Sequence, residues 1–267
     1  MSGLLLAIDG DSLAHRAYHA LPKSIRLNAI VGFSNFLVRL WEAERPEAVL
    51  VAWDSLETPT YRHEALPAYQ SGREFEDSIV EQLTLLPAAV SSFGFLVAKA
   101  PGYEADDFLA AAARAWPGEV VVATSDRDAF QLVSDRVTIL QPVKGVSELA
   151  RVGPAGVRER YGVEPAQVPD FIALRGDSSD KIPGAPGVGP KKAADLLRQY
   201  GSLEAALDAG RFPTVADDLR LYKRIATMDA DAPLPKLAAT PPDWAAASEH
   251  ASGLGLNALS ARLRERS

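Results

Sequence analysis

Acidic side chains follow three of the short apolar runs in this sequence. Asp9 and Asp54 each come directly after such a run, and the pair Asp126 and Asp128 lies just after a third. In a parallel α/β sheet the carboxyl ends of the strands share one edge, where ligands bind, so we expect these side chains to lie close together. Two further groups complete the set of nine acids, which is Asp9, Asp54, Glu104, Asp106, Asp107, Asp126, Asp128, Asp177 and Asp180.

So many carboxylates at one edge would repel each other strongly unless cations neutralise them. Oxygen-only ligands suit Mg²⁺ or Mn²⁺, and two such ions close together support in-line attack of water on a phosphate. Any one of these acids could instead be a helix cap or a turn residue. The collective pattern favours a divalent-metal site for phosphodiester chemistry.

Alternating strands and helices must position these acids. Apolar runs predict five strands, and apolar spacing predicts helices between them, which indicates an α/β fold with a mainly parallel sheet. The predicted strands are Leu4–Ile8, Ala48–Trp53, Phe95–Ala98, Val120–Thr124 and Val137–Leu140. The predicted helices are Asn28–Glu44 (with Asn28 as a cap), Ala105–Trp116, Val168–Arg175, Pro190–Tyr200, Ser202–Ala209, Asp217–Met228 and Leu256–Arg264.

A stretch rich in glycine and proline, Ile182–Pro190, separates two of the predicted helices. No strand precedes it, so it is not a dinucleotide-binding fingerprint. We interpret it as a helix–hairpin–helix turn whose backbone amides hold a phosphate, with Lys191 and Lys192 adding positive charge. A compact turn between two helices, with a solvated lysine pair, is an equally good interpretation of the spacing.

The segment Thr60–Glu81 carries aromatic and arginine side chains of the kind that bind single-stranded nucleic acid. They include Tyr61, Arg62, Tyr69 and Arg73. The segment is net acidic, however, which weakens its attraction for a polyanion. An ordinary surface excursion with packed tyrosines is the alternative interpretation.

Composition limits the class of protein. The chain has 267 residues, 47% of them hydrophobic, and a formal net charge of -7. Without the nine acids, 26 acidic residues stand against 28 basic ones, so the acidic total does not exclude a nucleic-acid substrate. There are no cysteines, which excludes disulfides and thiolate metal sites. We find no membrane span and no secretory signal, and expect a cytoplasmic monomer.

The motifs that contain these acids resemble the bacterial 5′-3′ exonuclease and flap endonuclease family, which includes the 5′ nuclease domain of DNA polymerase I. The resemblance runs from Leu4 to Met228, and Gly176–Lys191 is its most specific part. The other matching motifs are Ile8–Gly10, Arg16–Ala20, Trp53–Asp54, Tyr61–Arg62, Tyr69 with Arg73, Tyr103–Asp107 and Ser125–Asp128.

The resemblance implies a PIN-like sheet flanked by helices, a helical arch at about residues 60–82, and a helix–three-turn–helix module. The implied division is a catalytic domain over residues 1–165 and a helical DNA-binding domain over 166–267, with the hairpin module at 174–200. No polymerase follows in this chain, so we expect a stand-alone nuclease.

The resemblance also implies roles for individual residues. All nine acids would bind two or more Mg²⁺ ions, for which Mn²⁺ can substitute, and Arg16 and Arg73 would contact phosphates near the scissile bond. The catalytic set is Asp9, Asp54, Glu104, Asp106, Asp126, Asp128 and Arg73. The substrate-binding set is Arg16, Arg62, Tyr69, Arg73, Gly187, Val188, Gly189, Pro190, Lys191 and Lys192. Backbone carbonyls would bind K⁺ at Leu174, Arg175, Pro183, Ala185 and Val188.

The implied activity is hydrolysis of branched or gapped DNA, or of an RNA primer strand, to leave a 5′-phosphate and a 3′-hydroxyl. Three residues depart from the family pattern: Gln70 replaces a lysine, Lys181 an asparagine, and His15 an aromatic residue. Gln70 supplies no positive charge to a transition state. Two alternatives therefore stay open, a PIN-type metal-dependent ribonuclease and a structure-specific DNA-binding protein with weak or no catalysis.

Overall fold

A six-stranded sheet forms the centre of the molecule. The computed structural model describes residues 3–55, 58–72, 75–144 and 148–267. The strand order is β3-β2-β1-β4-β5-β6, in which β6 alone runs antiparallel to its neighbour. The strands are β1 (Leu5–Asp9), β2 (Ala48–Ala52), β3 (Leu96–Ala98), β4 (Val120–Ala123), β5 (Val137–Lys144) and β6 (Glu148–Val152). The prediction of a mainly parallel α/β sheet is confirmed.

Helices cover both faces of this sheet. Helices α1 to α5 lie between the strands, and α6 to α12 follow β6, with non-helical connections at residues 176–189 and 227–243. The helices are α1 (Gly10–Ala20), α2 (Asn28–Glu44), α3 (Tyr61–Ala65), α4 (Asp77–Ser92), α5 (Ala105–Ala115), α6 (Pro154–Tyr161), α7 (Val168–Arg175), α8 (Pro190–Tyr200), α9 (Leu203–Asp208), α10 (Ala216–Ala226), α11 (Trp244–Gly253) and α12 (Asn257–Arg264). Within the described parts of the chain, no helix combines the length and apolar character needed to cross a membrane.

The central strands bury side chains on both faces, as apolar parallel strands do. Leu5 and Ala7 of β1 join the core on one face with α5, α7, α8 and α10, whereas Leu6 and Ile8 join the core on the other face with α1, α2 and α4. Because successive strand residues point to opposite faces, one short strand anchors both layers. The carboxyl ends of β1 and β4 thus lie side by side at the middle of the sheet.

The structure differs from the sequence prediction in several elements, among them helices α3, α6 and α11, which the sequence does not predict. The strand β6, Glu148–Val152, is not predicted because charged residues interrupt its apolar ones and only its last residue is buried. Helix α1 was not predicted either. Asn28 is the first helical residue rather than the cap, which is Leu27, and its side-chain amide donates to the carbonyl of Tyr18 at 2.8 Å.

The last two helices pack in a different core from the hairpin module. Ala247 and Ala251 of α11, with Leu259 and Leu263 of α12, are buried in the core that α1, α2 and α4 share. The segment from α7 to α10 lies in the other core, with α5. The division of the chain at residue 165 stays a prediction, and α11 and α12 belong structurally with the N-terminal helices.

Candidate active site

An acidic cleft opens at the carboxyl edge of the parallel strands. Its volume is about 650 Å³, and it lies where β1 and β4 are adjacent and their connections leave in opposite directions, the usual place for a ligand in such a sheet. Eight of the nine predicted acids line it, all except Asp107. We call Asp177 and Asp180 the hairpin acids. The sheet-edge acids are Asp9, Asp11, Asp54, Glu104, Asp106, Asp126 and Asp128.

Asp9 is fixed at the junction of β1 and α1. One carboxylate oxygen caps α1 by accepting from the Ser12 amide at 3.0 Å, and the other accepts from the Thr124 hydroxyl at 2.6 Å. The chain can turn directly from strand to helix because Gly10 lies against Trp53, where a Cβ atom would approach the indole ring to 2.6 Å. The prediction that Asp9 lies at the sheet edge beside Asp126 and Asp128 agrees with this geometry.

The neighbouring acids are held by backbone amides of one another's segments. Asp11 accepts from the Asp54 amide at 2.8 Å, and Asp54 accepts from the Ala105 amide at 2.7 Å. Asp126 accepts from the Asp128 amide at 2.8 Å. These bonds orient the carboxylates without neutralising them.

Burial and repulsion between carboxylates raise the pKa of several sheet-edge acids. Burial raises the pKa of Asp9 to about 7, opposed by the bonds from Thr124 and Ser12 and reinforced by repulsion from Asp54 and Asp126. The pKa values of the following acids also lie above their usual range, with burial first and neighbouring carboxylates second: Asp11, Asp106 and Asp128. A site that holds these groups ionised needs compensating positive charge.

The hairpin acid Asp177 shows the opposite shift. Burial alone would raise its pKa, but hydrogen bonds from the Ser179 hydroxyl and amide, together with the Arg175 guanidinium, lower it. Arg175 donates to this carboxylate at 2.9 Å and stacks over Tyr161 and Phe171. Asp177 is therefore held ionised by groups of the hairpin segment itself.

Asp107 does not line the cleft, and its assignment as a metal ligand stays a prediction. Its side chain is fully buried and forms two hydrogen bonds with the Arg62 guanidinium, at 2.9 and 2.7 Å. It also accepts from the amides of Glu104 and Asp229. Every lone-pair direction of this carboxylate is thus used inside the protein.

Two residues that the sequence predicts to contact substrate are likewise buried in this structure. Arg62 is buried, donating from Nε to the Ile225 carbonyl at 3.0 Å as well as to Asp107. Tyr69 is 4% exposed, and its hydroxyl donates to Glu104 at 3.0 Å. Both side chains fix the base of the predicted arch and position an acid, and neither presents a surface to a substrate.

The sequence predicts substrate contacts for two other arginines, Arg16 and Arg73, and a departure from the family pattern at Gln70. Arg16 is half-buried on α1 and donates to the Pro142 carbonyl at 3.2 Å. Arg73 lies outside the described residues. Gln70 does line the cleft. The predicted arch at residues 60–82 comprises, in its described part, the short helix α3, a series of turns, and the start of α4.

The hairpin between α7 and α8 has the predicted tight backbone. Asp177 and Ile182 pair through two backbone hydrogen bonds of 2.8 Å, and Gly176 and Gly184 meet so closely that a Cβ atom on Gly184 would lie 2.5 Å from the Gly176 nitrogen. Both glycines also have positive φ, which side chains disfavour.

The second half of the hairpin contains the predicted DNA contacts. Gly187, Gly189 and Pro190 are exposed, and so are Lys191 and Lys192 at the start of α8. The side chain of Val188 is buried. The residues predicted to bind K⁺ lie in this same loop, where the Leu174 carbonyl accepts from the Ala185 amide, and the Ala185 carbonyl accepts from the Val188 amide.

Three groups in the cleft were missed from the sequence. Asp11 lies in the first turn of α1, two positions after the predicted ligand Asp9. That proximity was the signal in the sequence that could have identified it. The Arg175 side chain lines the cleft, whereas the sequence predicts only a K⁺ contact for its backbone carbonyl. Phe75 is 43% exposed and packs on His15 with ring centroids 4.8 Å apart.

The donor set of the cleft fits a hard divalent cation. All its acidic ligands are carboxylate oxygens, which Mg²⁺ and Mn²⁺ prefer, and their raised pKa values show the cost of ionising them together. Among the described residues, no three acidic or histidine side chains converge in an arrangement that would hold an ion as they stand. The side chains would therefore have to rotate from their present hydrogen bonds to bind one.

Comparison with known proteins agrees with the motifs. Residues 4–162 match the family model for the 5′-3′ exonuclease N-terminal resolvase-like domain, and residues 163–245 match that for the 5′-3′ exonuclease C-terminal SAM fold. DNA polymerase I of Mycobacterium tuberculosis is 43% identical over 215 residues, which cover 76% of this chain and 24% of that protein. DNA polymerase I of Bacillus caldotenax is 39% identical over 253 residues, which cover 88% of this chain and 29% of that protein. The chain spans about a quarter of the length of these curated relatives.

Solved structures share the fold. T5 5′-exonuclease with divalent metal ions (zinc) bound superposes with a TM-score of 0.71 at 18% identity, covering 98% of each chain. The catalytic core of Rad2 in complex with DNA substrate gives a TM-score of 0.62 at 15% identity, covering 97% of this chain and 90% of that one. The predicted PIN-like sheet with an added helical module is thereby confirmed.

Proposed function

The chain belongs to the 5′-3′ exonuclease family, and on that premise we propose that it is a metal-dependent 5′ nuclease. Its substrate would be DNA with a 5′ flap, overhang or gap. The reaction would hydrolyse a phosphodiester bond to leave a 5′-phosphate and a 3′-hydroxyl.

One observation carries this proposal. A single cleft contains acids from the sheet edge and acids from the hairpin segment, which are distant in sequence. A metal site built from both segments would be adjacent to the surface that holds the DNA duplex. Binding and hydrolysis of a branched substrate would thus be coupled by geometry.

The sheet-edge acids Asp9, Asp54, Glu104 and Asp106 would hold divalent ions, with Asp126, Asp128 and the hairpin acids on the other side of the cleft. A bound Mg²⁺ or Mn²⁺ would activate a water molecule for attack and neutralise charge on the phosphate. The backbone amides of Ala105 and Asp128 hold Asp54 and Asp126, which would leave these hydrogen bonds by side-chain rotation to act as ligands.

The hairpin module would bind the DNA backbone. The exposed residues Gly187 and Gly189 and the start of α8 offer backbone amides to a phosphate, and Lys191 and Lys192 add positive charge. These contacts would bind the DNA backbone without reading its base sequence. A K⁺ ion on the carbonyls of this loop belongs to the same proposal. Arg16 and Arg73 would contact the strand near the scissile bond.

A flap-cleavage gel tests the proposal. A 5′-flap DNA labelled at the 3′ end of the flap strand is incubated with Mg²⁺, with and without a chelator. We expect a chelator-sensitive product cut near the flap junction. Asp126→Ala should abolish this product and largely retain the shifted complex on a native gel. A loss of binding as large as the loss of cleavage would contradict the role of Asp126.

A second candidate function is structure-specific DNA binding with weak or no catalysis. Gln70 favours it, because a neutral amide occupies the cleft where relatives usually have a lysine. Tight flap binding without turnover in Mg²⁺ or Mn²⁺ would support this candidate. An RNA flap in the same gel separates both functions from a PIN-type ribonuclease, which would cut RNA better than DNA.

A further inference from the structure

Gln70 connects the turn after α3 to the hairpin segment. Its side-chain Nε2 donates to the carboxylate of Asp180 at 3.2 Å, and its backbone amide donates to the Asp180 carbonyl at 3.4 Å. The same Nε2 donates to the Tyr69 hydroxyl at 2.8 Å. Both amide hydrogens of this glutamine are therefore used.

The bonds form a directed chain across the cleft. The Tyr69 hydroxyl gives its one hydrogen to Glu104 at 3.0 Å, so it can only accept from Gln70. Glu104 is also held by the Thr60 hydroxyl at 2.9 Å. Since Glu104 is a sheet-edge acid and Asp180 a hairpin acid, Gln70 joins the two groups through neutral donors.

Backbone conformation on both sides of this contact is unusual. Gln70 has φ of 49°, and Lys181, which follows Asp180, has φ of 58°. Residues other than glycine, asparagine and aspartate seldom adopt this left-handed region, and such strain persists only where the surrounding structure maintains it. Two strained residues thus meet at one hydrogen-bonded contact.

We propose that Gln70 is a positioning residue that holds Glu104 and Asp180 in register by bridging the sheet-edge and hairpin acids. The inference rests on the proposed nuclease function, which makes these carboxylates metal ligands. An amide suits this place because it donates to two acceptors and brings no charge. A carboxylate would repel Asp180, and a shorter side chain would reach only one partner.

Hydrogen exchange tests the bridge itself, without metal or DNA. Gln70→Gly removes the side chain and suits the left-handed backbone, and because glycine also loosens its own segment, exchange at residues 178–182, which contact Gln70 only through space, reports the lost bonds. We expect amides of residues 66–72 and 178–182 to exchange several-fold faster in Gln70→Gly than in the wild type. Gln199→Ala, at an exposed glutamine of α8, is the matched control and should leave both segments unchanged. Unchanged exchange in Gln70→Gly would overturn the bridge.

Metal titration tests its consequence. Calorimetry with Mn²⁺ on the full chain without DNA should show affinity about 10–100-fold lower in Gln70→Gly, the usual effect of losing a residue that orients ligands. Cleavage by this variant should recover at high Mn²⁺, with KM for flap DNA unchanged. Wild-type Mn²⁺ affinity in Gln70→Gly, or a cleavage defect that excess Mn²⁺ does not relieve, would overturn the positioning role. A wild type that neither binds Mn²⁺ nor cuts DNA would overturn the proposed function itself.

Discussion

The sheet-edge acids and the hairpin acid Asp177 occupy one cleft in opposite electrostatic states. Burial and mutual repulsion raise the pKa of Asp9 and Asp106, whereas hydrogen bonds and the neighbouring Arg175 lower that of Asp177. The difference arises from burial and from the nearest charges. The sheet-edge acids Asp9 and Asp106 are buried beside other carboxylates, whereas Asp177 is only half-buried and pairs with the Arg175 guanidinium.

This contrast indicates a division of work. The sheet-edge acids destabilise the metal-free protein when they are ionised. A cation bound among them would therefore stabilise the protein more than a cation bound elsewhere in the cleft. Asp177 is ionised but already paired with Arg175, so it needs a cation less. We therefore expect the sheet edge to determine the rate of hydrolysis, and the hairpin segment to determine the affinity for DNA.

The largest effect should come from removing a sheet-edge acid. Asp106→Asn keeps the shape of the side chain but removes a charge facing Asp9 and Asp126, and we expect the single-turnover cleavage rate to fall about 10³-fold or more. Asp177→Asn should reduce it much less. Single-turnover cleavage of a 5′-flap DNA measures both. Equal losses in the two variants would break the proposed division between the two acid groups.

The next largest effect concerns Asp107, the predicted acid that does not line the cleft. Arg62→Met removes the partner of the buried Asp107, and an uncompensated buried charge should lower the free energy of unfolding by about 3–5 kcal/mol. Arg114→Met, at an exposed ion pair with Asp231, should cost about 1 kcal/mol or less. Urea unfolding measures both.

A double variant completes this test. Asp107→Asn added to Arg62→Met removes the buried charge but keeps an acceptor for the amides of Glu104 and Asp229. We expect it to restore part of the lost free energy. No restoration would mean that lost packing, not charge, explains the effect of Arg62→Met.

A smaller effect should appear in the dependence of stability on pH. The pKa of Asp9 rises from 3.8 to about 7 on folding, so the native state holds a proton that the unfolded state releases. Stability from this group is complete below about pH 4 and is lost as pH rises through about 7. Thermal unfolding in chelator should therefore show Tm falling from pH 5 to pH 8.

Two comparisons sharpen this prediction. Asp9→Asn should reduce the fall in Tm, because the titrating group is gone. Asp177 works in the opposite sense: its lowered pKa gives stability that is present at neutral pH and lost on acidification, so Asp177→Asn should lower Tm at pH 7. A Tm of the wild type that rises steadily to pH 8 in chelator would contradict the account of the sheet-edge acids.

Much of the fold and of the acid cluster followed from sequence. The strands were predicted because buried parallel strands are continuous apolar runs, and parallel topology then places the residues after them at one edge. That argument located Asp9, Asp54, Asp126 and Asp128 correctly. It failed for β6, an edge strand in which charged residues interrupt the apolar ones, so that no continuous apolar run marks it.

Residue spacing could not distinguish an acid in the cleft from an acid in the core. Asp106 and Asp107 are adjacent in sequence, yet one lines the cleft and the other is buried. The difference depends on Arg62, which is 45 residues away in sequence from Asp107. The contact between Gln70 and Asp180 spans 110 residues and depends equally on tertiary packing. Such pairings are properties of the assembled fold.

The smallest effect should come from the hairpin lysines, and it should affect binding alone. Lys191 is exposed at the start of α8 and has no carboxylate in the cleft to orient. Lys191→Ala should weaken flap-DNA binding a few-fold and reduce the slope of log affinity against log salt by about 1, as expected for one lost phosphate contact.

Fluorescence anisotropy over a salt series measures this slope, with Lys236→Ala as a control at an exposed lysine outside the hairpin. The cleavage rate at saturating DNA should not change, because the charge removed lies outside the acidic cleft. An altered cleavage rate with an unaltered salt slope would mean that Lys191 acts in the cleavage step and not in DNA binding. The two regions would then share both tasks, and the electrostatic contrast between their acids would have no counterpart in function.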